Sequence, residues 1–234
     1  MVDFGIAITW MPGEYMHFEI LVEDMSGKIA LDILIPKIID TKEHTFNVHS
    51  YKGIGRIPKG LKPASDSKKR ILLDRLPRLV KGYGNTFASY PSDYPAVLIV
   101  ICDLDDRCLN AFRKELLDCV DKCNPKPDMH FCIAIEEGEA WYLGDLAAVK
   151  AAYPSAKDAV LNSYTNDSVC NTWEKLADAV FAGGTKSLSK LGGQAIGKEK
   201  ASWAQKISPL IDVDKNLSPS FCYFRDQLRR LSRK

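Results

Sequence analysis

Residues 96–105, AVLIVICDLD, constrain this chain more than any other stretch. Seven apolar residues follow one another with no polar alternation. A strand with one wet face alternates apolar and polar residues, so an unbroken apolar run needs cover on both faces. The neighbouring segments repeat the pattern. HFEILVED (17–24), TFNVHSY (45–51) and HFCIAIEEGEAW (130–141) read as further strands. Between them lie helical patterns at 26–40, 68–84, 107–123 and 139–154. The expected order over 17–152 is therefore β-α-β-α-β-α-β-α. Such alternation predicts an α/β fold with a four-stranded, mainly parallel sheet, flanked by helices and joined by right-handed crossovers.

Local signals set expected element ends. Ser26 is placed to cap the first helix, and Pro36 should end it. The helix over 68–84 should break near Pro77 and close at Gly82 and Gly84. After Pro154 the texture changes. TWEKLADAVFAGG, GKEKASWAQKISPLI and SPSFCYFRDQLRRL read as helices of a C-terminal helical extension. The expected division is an α/β core over 1–154 and a helical extension over 155–234 that packs back on it. The segment 183–200 carries four Lys and five Gly and reads as a mobile or a backbone-binding loop.

Composition restricts the functional class. Lys and Arg number 32 against 30 Asp and Glu, a net charge of +2. That balance demands no polyanion and leaves room for a local basic groove. No apolar run approaches the roughly 20 residues of a membrane span, and the first residues lack a basic n-region. Seven cysteines with no CxxC pair and no zinc-ligand spacing are expected to be reduced thiols. A cytoplasmic protein with no membrane association is the expectation.

The chemistry is expected at one sheet edge. In open parallel sheets, ligands bind beyond the carboxyl ends of the strands. Strand one ends at Glu23 and Asp24, strand three at Asp103 and Asp105, and strand four at Glu136 and Glu137, with Glu139 just beyond. Two like charges about 4 Å apart repel by about 4 kcal/mol at an effective dielectric of 20. A shared proton, an intruding basic side chain or a bound cation would relieve this. Carboxylate oxygens with water suit Mg²⁺ or Mn²⁺. Any single acid here also has a structural role open to it. Asp105 or Asp106 can cap the next helix, and Glu136 and Glu137 can sit in a first helical turn.

Four short motifs, in order, carry a resemblance. LVE (21–23), DLD (103–105), EAWYLGD (139–145) and SPSF (218–221) are similar to those of a bacterial Toprim-like family, a domain of unknown function related to OLD-type Toprim nucleases. The resemblance covers most of the chain and implies a Mg²⁺-dependent nuclease or phosphodiesterase acting on DNA or RNA. It implies Glu23 as general acid/base and catalytic residue beside Asp103. The implied metal ligands are Glu23, Asp103, Asp105 and Glu139, with Asp145 as an additional ligand, and Trp141 is read as packing. The relatives further imply bacterial defence or nucleic-acid maintenance and an ATPase partner encoded alongside. One departure stands out: Toprim first motifs usually have Gly after the Glu, whereas this chain has Asp24, with the glycine at 27. A non-catalytic nucleic-acid- or protein-binding module is the alternative expectation.

Basic segments supply the remaining candidates. Lys52, Arg56, Lys59 and Lys62, with Gly53 and Gly55 between them, follow strand two and should emerge at the acidic edge. Small residues let a phosphate approach backbone and cations neutralise it, though a solvated loop has the same composition. Lys198 and Lys200 in GKEK are placed to face a phosphodiester or to open an exposed helix. GTKS lacks P-loop spacing, and no Ser/His/Asp set stands out.

Overall fold

The computed structural model describes residues 15–58, 60, 70–135, 137–168 and 171–233. Lys59, Lys62 and Glu136 lie outside the described residues. Four strands, β1 (His17–Val22), β2 (Thr45–Ser50), β3 (Ala96–Asp103) and β4 (Met129–Ala134), form one sheet in the order β2-β1-β3-β4. Every pairing is parallel. The expected α/β class with a parallel four-stranded sheet is therefore the observed one. β1 and β3 are the central pair, and β3 is buried along Val97–Cys102. That position explains its unbroken apolar run.

The two faces of the sheet hold separate cores. Phe18, Ile20, Val22, Ile99 and Ile101 face α1 (Met25–Leu34) and the C-terminal helices. Leu21, Leu98, Val100 and Cys102 face α2 (Leu76–Ala88) and α3 (Leu109–Val120). The chain continues through α4 (Glu139–Leu143), α5 (Leu146–Ala152), α6 (Asp158–Leu161), α7 (Thr172–Val180), α8 (Gly184–Lys190), α9 (Gly193–Ile207) and α10 (Pro219–Leu231). Trp203, Phe221, Phe224 and Leu228 from α9 and α10 are fully buried within the first core. The extension is thus continuous with one face of the sheet. No described helix is long and apolar enough to cross a membrane, and the six described cysteines are free thiols.

Several expected ends move, each for a local reason. Asp24 caps α1 in place of Ser26: Gly27 N–H donates to Asp24 Oδ1 at 2.7 Å, and Ser26 Oγ donates to Oδ2 at 2.7 Å. Pro36 ends α1 as expected, in a short 3-10 turn. Pro77 opens α2, because a proline in the first turn loses no helical hydrogen bond. α2 then runs through Gly82 and Gly84 to Ala88. Gly84 serves an approach: a Cβ there would stand 2.7 Å from the Pro125 carbonyl oxygen. Neither Asp105 nor Asp106 caps α3, whose N-cap is Cys108 with no side-chain bond. The Lys- and Gly-containing segment 183–200 is helical, as α8 and the first half of α9.

EAWYLGD and SPSF, 79 residues apart, form one structural knot. Trp141 Nε1 donates to Ser220 Oγ at 3.1 Å, and its ring stacks on Phe224 at 5.2 Å. Asn216 Nδ2 donates to the Trp141 carbonyl at 2.7 Å, and Leu217 N–H donates to the Gly144 carbonyl at 2.8 Å. A Cβ on Gly144 would meet Asn216 Oδ1 at 2.1 Å, which accounts for the glycine in the motif.

Candidate functional site: an acidic cavity closed by a lysine

A cavity of about 40 Å³ opens at the carboxyl edge of the sheet. That is room for a few waters. Glu23 and Asp103 reach it from the ends of β1 and β3, Glu139 from the first residue of α4, and Lys200 from the middle of α9. Its apolar wall is Val22, Ala30, Leu31, Ile101 and Trp141. The alternation of strands and helices thus does gather acids from three separate segments.

Lys200 is the group that sequence reasoning placed elsewhere. Its side chain is 17% exposed, and Nζ donates to Glu139 Oε2 at 3.1 Å and lies 3.8 Å from Glu137 Oε1. The expected contact with a phosphodiester gives way to an internal ion pair. Burial works to lower the Lys200 pKa, yet Glu139, Glu137 and Asp103 together hold it above the ordinary lysine value. Glu137, beside the cavity, accepts from Thr172 Oγ1 at 3.3 Å and Trp173 N–H at 3.1 Å, at the start of α7. GKEK marked this lysine as a candidate, but nothing local in the sequence pairs it with Glu139.

The carboxyls differ in how far the lysine compensates them. Glu139 is 4% exposed, and burial pushes it up to about 7 despite Lys200. Burial, reinforced by Asp24 and Asp105, likewise raises Glu23 to about 7. Burial raises Asp103 well above the usual carboxylate range, with Glu23 and Glu139 adding to it. The Asp103 backbone N–H hydrogen-bonds to the Glu23 carboxylate, while Glu23 Oε2 is buried with no hydrogen-bond partner. A buried charged oxygen without a partner is costly, so this oxygen calls for a proton or a cation. Two of the three relieving devices are therefore present together: an intruding ammonium and a bias towards protonation.

The remaining described sequence candidates fall outside the cavity. Asp105 is exposed, with a left-handed backbone (φ 52°), 4.0 Å from Arg107, and its charge adds to the rise of the Glu23 pKa. Asp145 caps α5 through Ala148 N–H at 3.0 Å and accepts from Asp212 N–H at 2.9 Å. Both its oxygens hold backbone together, and it borders a different groove with Lys215. Lys198 is exposed on α9. Lys52 and Arg56 are exposed on the loop after β2, which meets the acidic edge as expected: Gly53 N–H donates to the Glu23 carbonyl at 3.0 Å. Gly53 and Gly55 adopt φ of 98° and 72°, which only glycine enters freely.

The oxygen-only donor set fits a hard divalent cation held by one or two carboxylates and water. Glu23 and Asp103 are the two that can hold it, because Glu139 is bonded to Lys200. Among the described residues no three His, Cys, Asp or Glu side chains already stand in metal-binding geometry.

A second polar constellation, absent from the sequence expectations, lies on β1. Glu19 is 7% exposed and accepts from His17 at 3.0 Å, His49 at 2.6 Å, Asn47 at 2.9 Å and Tyr83 at 3.2 Å. The parallel register sets Asn47 beside Glu19 and His49 beside Leu21. The only available signal was an acid inside an otherwise buried strand.

No protein-family model matches this chain, and no curated protein or solved structure matches it.

Proposed function

We propose that the protein is a Mg²⁺- or Mn²⁺-dependent phosphodiester-cleaving enzyme of Toprim-like character, acting on DNA or RNA. The observation that carries this reading is the buried, unpartnered Glu23 Oε2 in a cavity shared with Asp103. Glu23 and Asp103 hold the cation. A divalent ion so held supplies a Lewis acid for a phosphoryl oxygen and lowers the pKa of water. Lys200 keeps Glu139 paired and fixes the floor of the cavity. Without a cation, burial holds Glu23 at about 7; a bound cation would displace that proton and keep Glu23 as an ionised ligand. Asp24 is committed to its capping bonds with Gly27 and Ser26.

The test uses plasmid DNA and structured RNA with each cation, for the wild type and for Asp103→Ala. Cleavage by the wild type and its loss in the variant are the expected outcome. Cleavage that survives Asp103→Ala would sink the metal assignment. A second reading, a non-catalytic binding module, is favoured by Lys200, which already supplies the acids with an internal cation. Cation binding without cleavage of any substrate would select it.

A further inference from the structure

The outer face of α2 carries a second feature that the cavity does not use. A groove of about 290 Å³ runs along it, lined by Arg75, Arg78, Leu79, Gly82, Tyr83 and Thr86. Arg78 and Thr86 are exposed, and Arg75 Nε is buried there with no hydrogen-bond partner. Along α2 itself the chain contains no acid and carries Arg78 and Lys81, with Arg75 just before it; acids close to this face include Glu19, which accepts from Tyr83 at 3.2 Å, and the exposed Asp93 beside Tyr94. The nearby Asp74 is turned inward and accepts from Arg56 N–H at 2.7 Å. A donor-lined groove with a buried, unsatisfied guanidinium nitrogen suits an anion.

From Tyr83 in the groove, a series of half-buried aromatic rings leads away from it. Tyr83, Phe87, Tyr90 and Tyr94 follow one another with centroids 5.6, 5.5 and 5.1 Å apart. At its other end the groove joins the acidic edge. Leu72 and Leu73 N–H donate to the Gly53 and Ile54 carbonyls, and Gly53 is bonded to Glu23. Arg70 lies there over the Tyr51 ring at 5.8 Å, and its guanidinium donates to the Ser50 carbonyl at 2.9 Å. Lys52, Arg56 and Arg70 are all exposed at this corner.

We propose that this face is a track for single-stranded nucleic acid, which leads from the ring series along α2 to the corner beside Glu23. Guanidinium groups take the phosphates, and unpaired bases stack on the rings. Duplex bases are already stacked on one another and are closed to the rings. α2 has 13 residues, a span of about 20 Å and so up to about six stacked nucleotides. The proposal rests on the phosphodiester reading of the cavity for its role in substrate delivery, and it adds the strand class.

Fluorescence anisotropy in EDTA tests binding without cleavage. The probes are a labelled 12-nucleotide DNA, its RNA counterpart and the DNA duplex. At least tenfold tighter binding of the single strands is expected. Arg78→Glu should weaken single-strand binding at least tenfold and reduce the salt slope by about 0.7 or more. Thr86→Glu, an exposed position with no cation to lose, should weaken it at least threefold, with circular dichroism confirming the fold of both. Equal or tighter duplex binding would overturn the proposal, as would affinity unchanged in both α2 variants. Displacement by inorganic tripolyphosphate at matched phosphate concentration would reduce the groove to a general anion site and also overturn it. Binding as expected with no cleavage under Mg²⁺ or Mn²⁺ would instead count against the enzyme reading and leave the track standing.

Discussion

Glu19 lies within β1 and Glu23 just past its end, four residues on, and both lose most of their water, yet the protein treats them oppositely. Burial alone would raise the Glu19 pKa, but His17, His49 and Asn47 donate to it and hold it below the usual carboxylate range. Burial raises Glu23 to about 7, with Asp24 and Asp105 adding repulsion, and one of its oxygens has no partner. Burial is common to both, so donor count decides the outcome. A carboxylate with four donors is a structural hub. One with an orphan oxygen beside other acids is a reactive or ligand-binding group.

The largest expected effect falls on the lysine that separates these two cases. Lys200→Met leaves Glu139 and Asp103 without their ammonium, and removing one partner of a buried ion pair costs about 3–5 kcal/mol. Urea unfolding at pH 8 should show that loss, and it should shrink at pH 5.5, where the acids are protonated. A loss below about 1 kcal/mol would mean that the pair is solvated and does not close the cavity.

The same conservative substitution at the two glutamates should have opposite signs. Glu19→Gln sets an amide against donors and should cost about 2–4 kcal/mol at pH 7. Glu23→Gln removes a buried repelling charge and should stabilise the fold by about 1–2 kcal/mol at pH 8. Equal signs in chemical denaturation would break the comparison.

The pH dependence follows from the same contrast. Glu23 and Glu139 have folded pKa values near 7 against an ordinary 4.5, so the folded state binds more protons between these values. Stability contributed by these groups therefore falls as pH rises from about 4.5 to about 7, and it is level above. Glu19 acts in the other direction. Its contribution is present above about 4.5 and is lost as pH falls below that. Wild-type stability measured from pH 3 to 9 should pass through a maximum near the lower value, and Glu23→Gln should flatten the upper limb. The smallest effect is expected at His49, whose side chain is 44% exposed. His49→Ala should cost about 1 kcal/mol and raise the Glu19 pKa, which NMR titration of the carboxyl reads directly.

The acidic edge was legible because strand patterning is local. The unbroken apolar run of β3 and the mostly apolar β1 and β4 require a covered sheet, and the alternation with helices makes it parallel, so the residues after each strand must share one edge. Glu23, Asp103 and Glu139 followed from that rule. Asp145 did not, because a motif acid at the start of a helix is placed equally well to cap it, and the break at Gly144 decides for the cap. Pro77 and Gly82 misled for a related reason: both residues stop a helix in its interior, but Pro77 stands in the first turn and Gly82 costs only propensity.

What the amino-acid order determined alone was the layer architecture, the parallel sheet and the edge to which its acids go, since periodicity and burial act over a few residues. The tertiary structure alone decided the charge state of that edge. Lys200 comes from 61 residues beyond Glu139, and three of the four Glu19 donors come from β2 and α2, so both depend on how distant segments pack. Electrostatic energy inside a protein turns on distances of a few ångströms between groups that the chain holds far apart, and no spacing in the sequence encodes those distances.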